Sequence, residues 1–116
     1  MNETVCFGED MVVSARHLVL SAERALSPRG TTPGEVELLS FLDRSGGAVD
    51  RITTISQSME VNNVALTVLI DRMERKGLVE RAKSSDRRSI RIEITETGRL
   101  MLALGRLVLD ELVGER

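Results

Sequence analysis

Apolar residues recur along the chain with two different periods, and the change between them divides it. Residues 10–26 (DMVVSARHLVLSAERAL) carry Met11, Ala15, Leu18, Ala22 and Ala25 at helical spacing, with Val12, Val19 and Leu26 as a second row seven apart. That pattern predicts a helix apolar on more than one side, of the kind shared with a partner. Pro28 and Gly30 end it. A second helix follows from Thr32, where TPGE places a capping hydroxyl, a proline in the first turn and Glu35 at the third helical position, the pattern of a capping box. Its inward stripe is Val36, Leu39 and Leu42, with Phe41 beside it, and Ser45-Gly46-Gly47 stops it.

Ala48-Val49-Asp50 reads as a short extended piece. A third helix is expected over residues 51–59, capped by Asp50, with Ile52, Ile55 and Met59 inward. A fourth starts after a very short turn, with Asn62 or Asn63 as cap and Leu66, Leu69, Ile70 and Met73 inward, and Gly77 ends it. Two short helices joined by so tight a turn form a helix-turn-helix. The period then drops to two. Leu78–Ala82 and Ser89–Thr95 read as strands, Ile90, Ile92 and Ile94 alternating with Arg91 and Glu93, around a polar connection at 83–88. Thr95 caps a last helix over residues 96–113, whose leucines and valines cover almost the whole circumference. Burying one face of it leaves another bare, which calls for a partner.

The 116 residues fit one domain. Apolar residues make up 41% and only Phe7 and Phe41 are aromatic, so the core is aliphatic. One cysteine, Cys6, excludes an intrachain disulfide, and Glu3, Glu9 and Asp10 near it raise a thiol pKa, so it is expected to be unreactive. The start has no basic stretch before an apolar one, and no apolar run is long enough for a membrane helix, so a cytoplasmic protein without membrane contact is expected. His17 is the sole histidine; a metal site has no second His or Cys to draw on, no glycine-rich loop follows a strand, and no carboxylates are visibly paired. The expectation is a protein that is not an enzyme and needs no cofactor.

Net charge is −2, but its distribution is uneven. Residues 72–91 hold eight basic and three acidic side chains, a local +5 on a remainder of −7. A basic patch on an acidic body is the footprint of a nucleic-acid contact, although a solvated charged face looks the same. The patch contains no aromatic residue for base stacking, which favours duplex DNA over single strands.

Helix, helix, helix-turn-helix, two-stranded hairpin and helix is the order of a winged helix. The fold class expected is mainly α (α+β): a winged helix-turn-helix with a two-stranded wing, a core over 32–95 and terminal dimerisation helices at 10–26 and 96–113. Within it, LIDRMERKGLVERAKSSDRRSIRIEITETG at 69–98 resembles the signature of the MarR family of dimeric transcription regulators. Ile70-Asp71-Arg72-Met73-Glu74 followed by Lys76-Gly77-Leu78-Val79 is similar to the end of that family's recognition helix. Asp86-Arg87-Arg88 is similar to its wing motif, and Thr95-Glu96-Thr97-Gly98 to the opening of its next helix.

The resemblance implies that Arg88 enters the minor groove and that Asp86 braces the hairpin; guanidinium groups on a thin hairpin suit a narrow, electronegative groove. It places Asn62, Asn63, Val64, Thr67 and Val68 toward base edges in the major groove, with Arg72, Lys83, Ser84, Ser85 and Arg87 completing the expected contact set. It also implies a homodimer, a repressor more often than an activator, and a small-molecule effector held between the terminal helices and the winged helix. The sequence departs from the family at Ser56, where alanine is usual, at Glu60, where glycine is usual, and at Val68, where a polar residue is frequent. The chain stops at Arg116, before the family's last helix, so a dimer is expected to rest on residues 10–26 and 96–113. Two further readings share the scaffold: a plasmid, phage or partition protein that binds DNA, and a winged helix used for protein contact.

Overall fold

The computed structural model describes residues 3–85 and 89–114, with side chains described from residue 8 onward. Helix α1 spans Glu3–Leu26 and runs through a 3-10 turn, Ser27–Arg29, into α2, Pro33–Arg44. Strand β1, Ala48–Val49, precedes α3, Ile52–Met59, and α4, Asn63–Arg75. The strands β2, Val79–Lys83, and β3, Ile90–Ile94, lead to α5, Glu96–Gly114.

The first helix begins earlier than residue 10 because nothing in residues 3–9 breaks it; Gly8 is tolerated inside. The wing also gains a strand. Ala48 and Val49 pair antiparallel with Glu93 and Ile92, giving a three-stranded sheet in the order β1-β3-β2. The hairpin register runs from Val79 opposite Ile94 to Lys83 opposite Ile90. Ile92 and Ile94 point into the core, whereas Ile90, near the tip, is exposed.

Two caps form as their residues predict. The Asn62 side chain accepts a hydrogen bond from Ala65 N at 2.7 Å, which resolves the choice between the two asparagines. Thr95 Oγ1 accepts from Gly98 N at 3.0 Å. Two others differ. Thr32 Oγ1 accepts from Glu35 N, but the Glu35 carboxylate does not return to the cap; it turns inward to other partners. Asp50 does not cap α3. Arg51 holds the N-cap position without capping the helix through its side chain, and the Asp50 carboxylate accepts instead from Arg91 Nη1 on β3 at 2.8 Å. A cross-sheet cation has outcompeted a local backbone donor.

The core is aliphatic. Leu38, Leu39 and Leu42 of α2, Ile55 of α3, Leu66, Ile70 and Met73 of α4, Leu78, Val79 and Ile92 are all buried, and Phe41 packs against them part-buried. Helix α5 joins through two glycines. A Cβ on Gly98 would collide with the Leu78 carbonyl oxygen, and one on Gly105 would lie 2.8 Å from Val36 Cγ2. Among the described side chains of α1 only Leu26 is fully buried; Met11, Val12, Val13, Leu18, Val19 and Leu20 stay exposed. On α5, Leu100, Leu104, Leu107 and Val113 are exposed as well. Among the described residues no helix is long and apolar enough to cross a membrane.

Candidate nucleic-acid interface

Helix α4 is held from behind and bare in front. Leu66, Ile70 and Met73 bury one stripe, and the opposite stripe shows Asn63, Val64, Thr67 and Val68 to solvent. The turn that presents it is tight: Glu60 adopts a left-handed conformation at φ +56°, and Val61 N donates to Ser56 O at 3.1 Å. A non-glycine residue there is strained, by about 1–2 kcal/mol. Ser56, at a position of close helix packing, is buried and donates its hydroxyl to Thr53 O. Residues 61–69 carry no charge.

Two of the expected base-reading groups are already engaged within the helix. Asn62 Oδ1 is the cap acceptor. Thr67 Oγ1 donates to Asn63 O at 2.8 Å, which leaves its methyl as the outward feature. Lys83 and Ser85 are exposed at the end of the hairpin, and Ser84 is half-buried there. The expected contacts Asp86, Arg87 and Arg88 lie outside the described residues.

Arg72 has a partner that sequence reasoning missed. Its Nε donates to Glu35 Oε2 at 2.9 Å, and Lys76 Nζ donates to the same oxygen at 2.8 Å. Lys76 also reaches Gly30 O, and Thr31 Oγ1 donates to Glu35 Oε1. Burial alone would push the Glu35 carboxyl up; the hydrogen bonds from Lys76, Arg72 and Thr31 outweigh it and hold the group below the usual carboxylate range. The cluster ties the last turn of α4 to the first turn of α2. Glu35 and Lys76 stand 41 positions apart, so the pairing left no mark in any local pattern.

The basic patch is thereby partly neutralised from within. Arg81 reaches Asp71 and Glu74 through its two terminal nitrogens, and the hydrogen bond to Asp71 holds its guanidinium pKa above the ordinary value against the opposing effect of burial. Arg91 pairs with Asp50. Arg72, Lys76, Arg81 and Arg91 therefore face carboxylates of their own chain, while Arg75 and Lys83 remain exposed.

An open cleft of about 460 Å³ lies where the end of α1 meets α2 and α4, lined by Glu23, Ser27, Gly30, Thr31, Thr32, Pro33 and Lys76. Among the described residues no group of three or more His, Cys, Asp or Glu is placed to hold a metal ion.

The HTH-type transcriptional repressor MdtR of Bacillus subtilis is 32% identical over 75 residues, 64% of this chain; the match spans only about half, 47%, of that repressor's length. AbsC, a MarR family transcriptional regulator from Streptomyces coelicolor, superposes with a TM-score of 0.87 at 26% identity, over 96% of this chain and 76% of its own. A mutant MarR from E. coli, solved in complex with operator DNA, superposes with a TM-score of 0.80 over 93% of this chain and 76% of its own, a likeness of fold at 22% identity. The model of the MarR family matches residues 31–90, from just before α2 through the helix-turn-helix and β2 to the start of β3, and with just over half of its length so matched the chain belongs to the MarR family.

Proposed function

We propose that the protein is a sequence-specific regulator of transcription that binds duplex DNA as a homodimer and acts as a repressor. The observation that carries this reading is the outer face of α4: an exposed, uncharged stripe, buttressed by α2 and α3 and flanked by a wing. A helix so mounted fits the major groove, and the hairpin beside it fits the neighbouring minor groove. The relative named as a repressor and the fold relative seen on operator DNA support the same reading. The contact set is Asn62, Asn63, Val64, Thr67 and Val68 on the helix, and Lys83, Ser84, Ser85, Asp86, Arg87 and Arg88 on the wing. Arg72 acts from behind, by fixing α4 through Glu35.

The dimer would form on the apolar faces of α1 and α5, which the fold leaves uncovered. A small-molecule effector would enter the cleft between α1 and the winged helix, where a ligand touching both Thr32 and Lys76 bears on α2 and α4 together. A second reading, a winged helix that contacts protein, is favoured by the apolar exposure of Val64 and Val68.

Fluorescence anisotropy of a labelled duplex from the gene's own upstream region, titrated at several salt concentrations beside a scrambled duplex, tests the proposal. Preference for the upstream duplex is expected, with log affinity falling by roughly 0.9 per phosphate contact for each decade of salt. Arg88→Ala should weaken that binding sharply. Weak, salt-independent binding to both duplexes would rule the DNA reading out and leave the protein-contact reading.

A further inference from the structure

Helix α4 offers a base pair mostly methyl groups. Val64 is 76% exposed and Val68 59% exposed, although nothing about the fold requires an apolar residue at either position. They sit one turn apart, on the face that the buttressing helices leave open. The polar neighbours on that face have little left to offer. Asn62 Oδ1 caps the helix, Thr67 donates its hydroxyl proton back to Asn63 O, and Ala65 has no polar atom. Asn63 is the one residue there whose amide is not engaged in those bonds.

A guanine presents acceptors to the major groove and a cytosine a donor, and the strong readers of these are Arg or Lys for the first and Glu or Asp for the second. Residues 61–69 contain none of these. Thymine presents a methyl group, and adenine presents the donor and acceptor pair that a single asparagine satisfies. Resting on the reading of α4 as the major-groove element, we infer that the half-site is defined by thymine methyls: Val64 and Val68 pack on the C5-methyl groups of two thymines, with Thr67 Cγ2 beside them, and Asn63 pairs with an adenine. The valines are separated by about 6 Å along the helix axis, close to two steps of a duplex that rises about 3.4 Å per step. Desolvating a guanine or cytosine edge against this stripe would leave its polar groups unpaired, so the same surface also rejects G·C pairs.

The test is a selection followed by a single-atom-group deletion. The full chain is used to enrich duplexes from a pool with a randomised core, and the enriched duplex is remade with deoxyuridine in place of thymidine, which removes only the C5-methyl. Enriched half-sites should carry A·T or T·A pairs at two positions about two steps apart. Replacing thymidine should weaken binding by about fourfold per contacted methyl, the equivalent of ~0.8 kcal/mol for a buried group of that size. The double variant Val64→Ala/Val68→Ala should bring the thymidine-to-deoxyuridine ratio close to one. Alanine is a better helix former than valine, so a melting temperature no lower than wild type and an unchanged salt slope should accompany that loss.

Equal affinity for the two duplexes would overturn the inference while leaving the proposed DNA binding intact, and so would G·C pairs at the enriched positions. A methyl preference that survives in the double variant would also overturn it, because the effect would then come from the wing or from duplex flexibility. Failure to enrich any duplex would remove the DNA reading itself, and this inference with it.

Discussion

Glu35 Oε2 accepts hydrogen bonds from Arg72 and Lys76, and its carboxylate is 0% exposed while both cations remain about one-third or more open to solvent. The burial is one-sided: the acid sits beneath, the bases reach in from the surface. An anion so placed depends on its partners, and they in turn fix the pitch of the last turn of α4 against α2.

Glu35→Gln should destabilise the fold by about 2 kcal/mol in urea unfolding, less than the loss of a fully buried pair because the cations can turn to water. The effect has a defined pH dependence. The folded pKa of Glu35 lies below its ordinary value of 4.5, so its stabilisation is complete at neutral pH and falls away as pH drops through the folded value. Wild type and Glu35→Gln should therefore converge in stability in acid. A difference that stays constant down to pH ~3, below ordinary carboxylate values, would mean that the carboxylate charge is not the source.

Gly98→Ala should unfold the protein far more readily than Gly105→Ala. The Cβ at 98 meets the Leu78 carbonyl oxygen, with Ile94 Cγ1 at 2.9 Å, and a backbone oxygen cannot rotate aside. The Cβ at 105 meets a Val36 methyl that can shift. Losses of about 3 kcal/mol and about 1 kcal/mol are expected, within the usual range for overpacking. Equal thermal midpoints for the two variants would show that the contact between α5 and the start of β2 is looser than this geometry.

Glu60→Gly should stabilise the helix-turn-helix. The left-handed conformation at φ +56° costs a side-chain-bearing residue about 1–2 kcal/mol, and part of the relief is offset by the greater freedom of glycine in the unfolded chain, about 0.5–1 kcal/mol. A net gain of about 0.5 kcal/mol should appear as a melting temperature raised by a few degrees. A lower melting temperature would indicate that the Glu60 side chain makes a stabilising contact.

Val19 is 52% exposed and Leu107 64% exposed, each on a face of its helix that the fold leaves uncovered. If those faces meet across a two-fold axis, Val19→Glu/Leu107→Glu should yield a folded monomer by sedimentation velocity, with helical content unchanged by circular dichroism. Its affinity for duplex DNA should fall by at least tenfold, since the second reading head no longer adds its share. An unchanged sedimentation coefficient would place the interface elsewhere.

How much of this was legible in the chain depends on how local each cause is. The caps at Thr32, Asn62 and Thr95 were readable because a hydroxyl or amide three residues ahead of a free N–H needs no distant partner. The inner stripe Leu66, Ile70, Met73 was readable because burial follows the helical period. Asp50 was misread as a cap because its competitor, Arg91, comes 41 residues later. The brevity of β1 hid its pairing, since two residues show no alternation. Glu35 was assigned to a capping box when its carboxylate belongs chiefly to Arg72 and Lys76, a choice made by packing of α2 on α4, with Thr31 the only partner close in sequence that the structure gives its carboxylate.

The internal pairing of the basic segment bears on how such a protein would find its target. Four of the six described cations in residues 72–91 answer carboxylates of their own chain, so the general pull on a polyphosphate is smaller than the sequence suggests. Indiscriminate attraction is what holds a reader on the innumerable wrong sites of a genome. If the protein reads duplex DNA as proposed, residence on random duplex would be brief, and selectivity would rest on the fit of the exposed face of α4 and of the wing to the site beneath them.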